Sequence, residues 1–425
     1  MASAKFWIWL SAVGDPVAAW KIYEHFGDVE KAYFADPEEY KLIPGLRAHQ
    51  IAPFLNKEQG SKLVSKIVAD CRALGVHICT WESADYPERL RYIDVPPLVL
   101  YLLGRPLRIE EECVVAMAGT RRCSPYGQAM SWRFAEQLTR EGALVLTGVA
   151  GGCDEAAVVG ALQAGGPVAV LLPGGVDVPF ENTDFYRALY QNIASFGTLI
   201  STYPPGTPND HAHFRFRNAV LTGLSTVVLL VEAGLRSGAL NVAANANDQG
   251  RTVYTIPANL DSWSAMGTNG LLCNGQALAV MSAEDMLLTY RDSFPRLSLP
   301  KSAYPYVQEE EKAPAVPPTA AAKEDEPDTL PPETETSQAA IPEKKVDTAD
   351  ISDYIDLKAA QNDFTDDEQS ILRALQDGSR TSEELTAQTE IPSARMLAAL
   401  TLLTLRGSVR ECGSGRFEAA VKGKG

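Results

Sequence analysis

No lysine occurs between residues 101 and 290 of this 425-residue chain, and there eleven arginines face sixteen acidic residues, a net of −5. That balance argues against a broad basic groove. Any phosphate site in this stretch has to be local, built from arginine forks and backbone N–H groups. Cysteine is sparse too: the seven residues (71, 79, 113, 123, 153, 273 and 412) include no CxxC pair and no nearby histidine cluster. The spacing argues against a zinc site or a disulfide framework, so no metal and no cofactor are expected. No apolar run reaches the roughly 18 residues that span a bilayer. FWIWLSAV near the N-terminus is shorter than that and has no small-residue cleavage site after it, so a cytoplasmic protein without membrane contact is expected. Internal repeats are absent.

Apolar content of 45% and charged content of 22% are those of a soluble globular chain, and the length suggests two to four domains. The net charge of −16 is unevenly placed: residues 301–363 hold fifteen Asp/Glu against six Lys, a net of −9. More than half the excess thus lies in one segment, and the global value does not exclude a nucleic-acid partner for a folded surface.

Residues 1–75 read as short helices with Gly, Asp and Pro punctuation, a small SAM/helix-hairpin-helix-like domain. IPGLRAHQI (43–51) resembles half of a helix-hairpin-helix, but Arg47 stands where the second turn glycine is expected, so a structural role is favoured. The next domain spans 76–298 and starts with a connecting stretch through 77–104. From 113 the runs CVVAMAG, GALVLTG, PVAVLLPGG, GTLIST, TVVLLVEA and RTVYTIPA alternate with helical patterns. Apolar runs without polar alternation suit strands buried on both faces, which predicts an α/β fold with a Rossmann-like, doubly wound parallel sheet. Ligands of such sheets bind beyond the strand C-termini. Residues 299–363, rich in Pro, Ala, Glu and Thr, read as a disordered acidic linker. In 364–425 three helical patterns and the hairpin SVREC-GSG-RFEAA read as a winged helix, with a capping box at Thr381 and Glu384.

Four strand ends carry possible chemistry. In AGTRRCSPYG, Gly119 lets backbone approach a ligand, Thr120 offers a hydroxyl and Pro125 suits a helix start. The turn is not GxGxxG, and Arg121 and Arg122 occupy the place of a glycine cradle. In LTGVAGGCDEAAVVGAL, Gly148, Gly151 and Gly152 precede a helix N-terminus that favours anions, and Asp154 is either a cap or a ligand contact. LLPGGVD (171–177) is a weak signal. HFRFRNAVLTGLS brings together Phe214, Arg215, Phe216, Arg217 and Asn218, and VEAGLRSGAL sets Ser237 and Gly238 before another helix. Interleaved aromatic and basic residues suit a single strand, whose bases stack while guanidinium groups hold phosphates. The competing reading puts a phenylalanine in the core and the arginines in water. His211 and His213 read as part of the loop before this cluster, and no nucleophile–base pair stands out, so no enzyme is expected.

These turns, in this order, resemble the DNA-processing protein DprA (Smf) family. AMAGTRRCSPYG is similar to its GTR-x-x-S-x-YG turn, LTGVAGGCDEAAVVGAL to SGLARGID-AAAH-GAL, FRFRNAVLTGLSTVVLLVEAGLRSGAL to F-x-x-RNR-I-AGLS-VVVEA-SGSL, and GTNGLLCNGQAL (267–278) to the closing GTN-LI-GA. The resemblance implies a non-catalytic, cytoplasmic protein that binds single-stranded DNA, forms a homodimer through the Rossmann-like core, and protects incoming DNA and loads RecA recombinase during natural transformation. It assigns the DNA pocket to Gly119, Thr120, Arg121, Phe214, Arg217, Asn218, Ser237 and Gly238; Arg122, Gly148 and Arg215 join it from the reading of the turns. This chain departs from the pattern at Gly151 and Ala219, where the family has arginines, at Cys153 and Val158, and at Asn241-Val242. Arg122 and Arg215 are the cations placed to compensate. For the C-terminal domain, eight Lys/Arg against nine Asp/Glu, with only Arg395 in the recognition-helix segment, favour protein contact over duplex reading. The alternative for the core is a nucleotide- or phosphoribosyl-binding enzyme. PGGVD is reminiscent of the PGG-x-GT turn of the cytokinin-activating nucleotide phosphoribohydrolases, without that family's GT and acidic pair.

Overall fold

The computed structural model describes residues 4–299, 364–376, 378–389, 391–405, 408–412 and 416–419. The expected linker lies outside them apart from residue 299, as does the GSG turn of the C-terminal hairpin.

Six helices open the described chain: α1 (Ala4–Ala12), α2 (Pro16–Phe26), α3 (Val29–Phe34), α4 (Pro37–Tyr40), α5 (Ala48–Leu55) and α6 (Lys57–Leu74). Trp7, Trp9, Tyr40 and Phe54 are fully buried among them. Local chemistry sets the ends: Asp15 caps α2 ahead of Pro16, and Gly27 closes it at φ 66°. In the IPG stretch the Gly45 carbonyl accepts from Lys21 Nζ at 3.3 Å, an internal tie.

The central sheet holds β1 (His77–Thr80), β2 (Val99–Gly104), β3 (Val114–Ala118), β4 (Leu144–Thr147), β5 (Val168–Leu172), β6 (Thr198–Ser201), β7 (Val227–Leu230), β8 (Thr252–Thr255) and β9 (Leu278–Ala279). Between them run α7 (Pro125–Arg140), α8 (Cys153–Gln163), α9 (Asp184–Phe196), α10 (His211–Leu224), α11 (Leu240–Asp248) and α12 (Met266–Cys273), with α13 (Ala283–Leu288) closing the unit. Strand order is β1-β2-β6-β5-β4-β3-β7-β8-β9. All pairs from β6 to β9 are parallel. Every residue of β3 to β7 is buried, as the first five apolar runs predict, whereas β8, from the sixth run, alternates half-buried and buried residues. Alternate strand residues feed two clusters: Val115, Met117 and Val145 meet α7–α9, while Val114, Ala116 and Leu146 meet α10 and α11. The stretch 77–104, expected only to connect, adds β1 and β2 antiparallel to the sheet edge.

The chain leaves β3 toward β6, returns to β7 beside β3, and continues to β9 on the other side. The reversal at β3/β7 is the switch point where neighbouring turns diverge and leave a crevice.

The C-terminal unit has α14 (Asp366–Ala374), β10 (Arg380–Thr381), α15 (Ser382–Thr389), α16 (Ser393–Leu405), β11 (Val409–Glu411) and β12 (Arg416–Ala419), with strand order β10-β12-β11. This is the winged helix expected from the helix and hairpin order. Thr381 and Glu384 bond reciprocally at 3.0 and 3.2 Å. Helix α16 is apolar on two sides: Met396, Leu400 and Leu403 fill the winged-helix core, while Ala398 and Leu402 join the cluster around α8 and α9. Its Arg395 pairs with Asp367 at 2.6 Å. No helix of the described residues is long and apolar enough to cross a membrane.

Candidate nucleic-acid interface

Turns leaving β4, β3, β7 and β8, four adjacent strands, meet the first turns of α10 around an open cavity of about 870 Å³. The β3 turn is tightly fixed. Gly119 N–H donates to Asp154 Oδ1 (3.3 Å) and Thr120 N–H to the Glu232 carbonyl (2.8 Å). The Cys153 N–H donates in turn to the Thr120 carbonyl at 3.3 Å. Ser124 caps α7 by accepting from Gly127 N–H at 3.0 Å, with Pro125 as the first helical residue. A Cβ on residue 119 would stand 2.5 Å from Cys153 Sγ, so only glycine fits. Arg121 and Arg122 project from this anchored turn into solvent.

Both histidines, expected on the loop before the Phe/Arg cluster, lie with that cluster in α10. Asp210 caps it by accepting from Ala212 N–H at 2.9 Å. Helical spacing puts Phe214, Arg217 and Asn218 on one side, toward the cavity, while Phe216 packs against the core cluster beneath. Arg121 and Arg217 guanidinium groups lie 4.6 and 5.3 Å from the Phe214 ring centre, and Arg121 lies 5.3 Å from that of Phe180. The aromatic rings therefore organise cations.

Arg217, free in the sequence reading, is only 3% exposed and sits 3.8 Å from Asp154. Its Nε is buried without a hydrogen-bond partner, although it belongs to a side chain lining the cavity. An under-satisfied buried guanidinium is costly, and an anion entering the cavity would offset its charge. Asp154 is neither a helix cap nor a free ligand but a tie between the β3 turn, α8 and α10. Burial pushes its pKa up to about 6 against the opposing pull of Arg217 and the Gly119 N–H. Gly148 lies underneath: a Cβ there would stand 2.4 Å from Arg217 Nη2 and 2.5 Å from Asp154 Oδ2. Of the expected site residues, all line the cavity except Gly148, which makes room for the buried pair.

The structure adds residues the sequence reading missed, among them Arg236, His211, Leu235, Trp263 and Met266. Arg236 lies within the quoted VEAGLRSGAL and was findable; Trp263 and Met266 had no motif to mark them. Five of the eleven arginines of the lysine-free stretch thus line one cavity, with Asp154 as its one carboxylate. Among the described residues no acidic side chain forms an ion pair with Arg121, Arg122, Arg215 or Arg236, whose charges stay available.

Among the described residues, Cys123, Cys153 and Glu232 bring metal-ligating atoms within 4.8 Å of one another, a grouping invisible in the cysteine spacing. A hydrogen bond from Cys153 holds the Cys123 thiol below its usual range and, with burial, pushes Cys153 well above it. The Glu232 carboxylate accepts from Ser124 N–H (2.8 Å) and Ser264 O–H (2.5 Å), so it ties the β3, β7 and β8 turns together. The PGG turn after β5 is closed off: Gly175 N–H donates to the Thr207 carbonyl at 2.8 Å, and a Cβ on Gly174 would stand 2.6 Å from Asn209 Oδ1. His213 Nδ1 donates to the Pro173 carbonyl at 2.8 Å, and its ring stacks on Tyr203 at 3.9 Å.

The Asp154 shift gives a pH expectation with a definite sign. The folded chain retains this proton between the ordinary Asp value and about pH 6, where an unfolded chain has lost it. Its contribution to stability is therefore greatest at low pH and declines as pH rises through that window. Protonation also removes the one carboxylate from the cavity, so anion affinity rises as pH falls from 7 to 5.5. His211 lines the same cavity, so Asp154→Asn is the discriminating variant. It is expected to bind an anionic ligand at pH 7 several-fold tighter than wild type, and the gap is expected to close at pH 5.5. Parallel titrations of the two proteins check this.

Fold and cavity together define a Rossmann-like α/β protein with an arginine-lined cavity at the sheet's switch point, followed by a winged helix. The family model for DNA recombination-mediator protein A matches residues 77–291, and the DprA winged helix domain matches 356–415. The chain belongs to the DNA recombination-mediator protein A family, as the order of its motifs indicated. It is 29% identical over 294 residues to protein Smf of Synechocystis sp., covering 68% of this chain and 72% of that one. With the DNA processing protein DprA of Bacillus subtilis it shares 30% identity over 231 residues, 54% of this chain and 76% of the other. The X-ray structure of DprA from Streptococcus pneumoniae aligns with a TM-score of 0.58 at 26% identity, over 68% of this chain and 98% of that one.

Proposed function

We propose that the cavity binds single-stranded DNA by its backbone, without marked sequence preference, in a non-catalytic cytoplasmic protein. On this reading the chain processes incoming DNA in natural transformation, protecting the strand and loading RecA recombinase onto it. The observation that carries the reading is the gathering of five arginines around one cavity in a stretch of net negative charge, one of them buried with its Nε unpartnered. Family membership supports it, since the relatives at 29–30% identity include one named as a DNA processing protein. The winged helix fits protein contact better than duplex reading, because Arg395 is paired and α16 packs on the core. A homodimer through the core is supported by β9, an edge strand with both residues exposed, Leu278 at 53%, beside Met281 at 70%.

Fluorescence anisotropy of labelled oligo-dT across a salt series tests the central claim. Four to five phosphate contacts give an expected slope of log K against log salt of about −3. Arg236→Ala is expected to make that slope shallower by about 0.7. Absence of binding by wild type at low salt would remove the single-strand reading. A nucleotide co-purifying with the protein would favour an enzyme instead.

A further inference from the structure

The cavity has a second, chemically different part. Trp263 is 70% exposed, Leu235 64% and Met266 45%, and all three line the cavity that holds the arginines. They come from the turns after β7 and β8, whereas Arg121 and Arg122 come from the turn after β3. Because β3, β7 and β8 are adjacent, the turn bearing Trp263 leaves the sheet about two strand spacings, roughly 10 Å, from the turn bearing Arg121, and Leu235 comes from the strand between them, next in sequence to Arg236. That separation suits a nucleotide held at its phosphate with a base reaching sideways.

The apolar part is held in place by side-chain and backbone hydrogen bonds. Ser264 O–H donates to Glu232 at 2.5 Å, and Ala265 N–H donates to the Ser262 carbonyl at 3.0 Å. Gly267 and Thr268 N–H groups both donate to the Ala233 carbonyl, at 2.8 and 3.0 Å. The segment bearing Trp263 is thereby fastened to the β7 turn, yet its indole is left in solvent. Keeping three large apolar side chains exposed on an anchored frame is unfavourable in the free protein and marks a contact surface. Phe214, the aromatic residue inside the arginine cluster, already packs with two guanidinium groups. Among the aromatic residues of the lining, Phe214 is half-buried and His211 is exposed, while Trp263, 70% exposed, offers the large indole face.

We infer that Trp263, flanked by Leu235 and Met266, is a nucleobase-stacking shelf, and that it takes an unpaired base of the strand whose phosphates lie on the arginines. The inference rests on the proposed single-strand binding and adds the base-contacting half of that site. An indole face accepts any base, so the shelf adds affinity and selects against duplex, whose bases are already stacked, without reading sequence.

The full chain is titrated with oligo-dT by anisotropy as wild type, Trp263→Phe and Trp263→Ala, alongside an abasic oligonucleotide of equal length and a mass measurement of each protein. Trp263→Ala is expected to bind dT roughly 5- to 150-fold more weakly, the range one stacked base contributes, with Trp263→Phe within about threefold of wild type. The abasic strand is expected to bind wild type more weakly than dT, and to bind Trp263→Ala no more weakly than dT does. Trp263 is the exposed member of the six tryptophans, so dT is also expected to quench long-wavelength emission in wild type and not in Trp263→Phe. If wild type binds dT and Arg121→Ala weakens it while Trp263→Ala does not, the shelf is wrong and the single-strand reading stands. A fall in oligomeric mass in Trp263→Ala with dT affinity intact makes the shelf a protein contact and overturns the inference. Failure of wild type to bind dT overturns both.

Discussion

Arg121→Ala is expected to weaken oligo-dT binding by about 10- to 100-fold at low salt while shifting thermal unfolding by no more than a degree or two. Arg121 is exposed, forms no ion pair among the described residues, and rests over Phe214 and Phe180 rather than in the core. Removing it costs the fold little, because exposed side chains without core contacts contribute little to stability. The loss falls on binding: a guanidinium that grips phosphate makes charge-assisted bonds of about 1.5–3 kcal/mol each. The Gly119–Thr120 backbone is pinned by Asp154 and Glu232, so the residue is held in place before any ligand arrives. Arg133 is the control, exposed and without an ion pair among the described residues but outside the cavity, and Arg133→Ala is expected to leave affinity unchanged. Equal binding by wild type and Arg121→Ala would move the phosphate grip elsewhere in the cavity.

Gly152→Ala is expected to have the largest effect on the fold of the site. Gly152 has φ 60° and ψ −124°, a conformation that residues with a Cβ avoid. A Cβ there would also stand 2.4 Å from the Thr120 carbonyl oxygen and 2.5 Å from that of Arg121, both backbone atoms of the arginine turn. Strain and clash act together, so a loss of about 2–5 kcal/mol is expected, seen as a fall of about 5–15 °C in the unfolding midpoint of the core. The turn has to shift to relieve the contact, so oligo-dT affinity falls as well. Gly151→Ala is the internal comparison. Its φ of 80° is equally left-handed, but the nearest atom to an added Cβ is 3.9 Å away, so only the conformational cost of about 1 kcal/mol remains. Comparable unfolding midpoints for the two variants would show that the close approach to the arginine turn has no energetic weight.

Much of the fold was legible because burial on both faces leaves a simple trace. The six apolar runs from CVVAMAG to RTVYTIPA all became strands, and in the first five no residue has a solvent face, since a strand between two helical layers leaves none; β8 keeps Thr252 and Tyr254 half-buried. β1 and β2 escaped notice because the short HICT and VLYLLG segments are antiparallel edge additions joined through a long Trp- and Pro-containing stretch. His211 and His213 belong to the helix and not to the loop before it, because Asp210 caps the run by accepting from Ala212 N–H, three residues before His213.

Of the site, the turn glycines and the exposed arginines could be named from sequence, because a glycine leaving a buried strand and an arginine beside it are local features. The buried state of Arg217, the rise in the Asp154 pKa and the Cys123–Cys153–Glu232 grouping were not legible, since each depends on segments 30 to 110 residues apart meeting across neighbouring strands. Trp263 is the clearest case, because an isolated tryptophan in a loop has the same local sequence whether its indole is buried or bare. The residues alone thus determined a doubly wound sheet with arginine at its ligand-facing turns, because strand burial and glycine turns are written in adjacent positions. Which arginine is buried, which carboxylate opposes it and which aromatic face stays open were decided by tertiary packing, because burial and electrostatic pairing depend on distance in space and not along the chain.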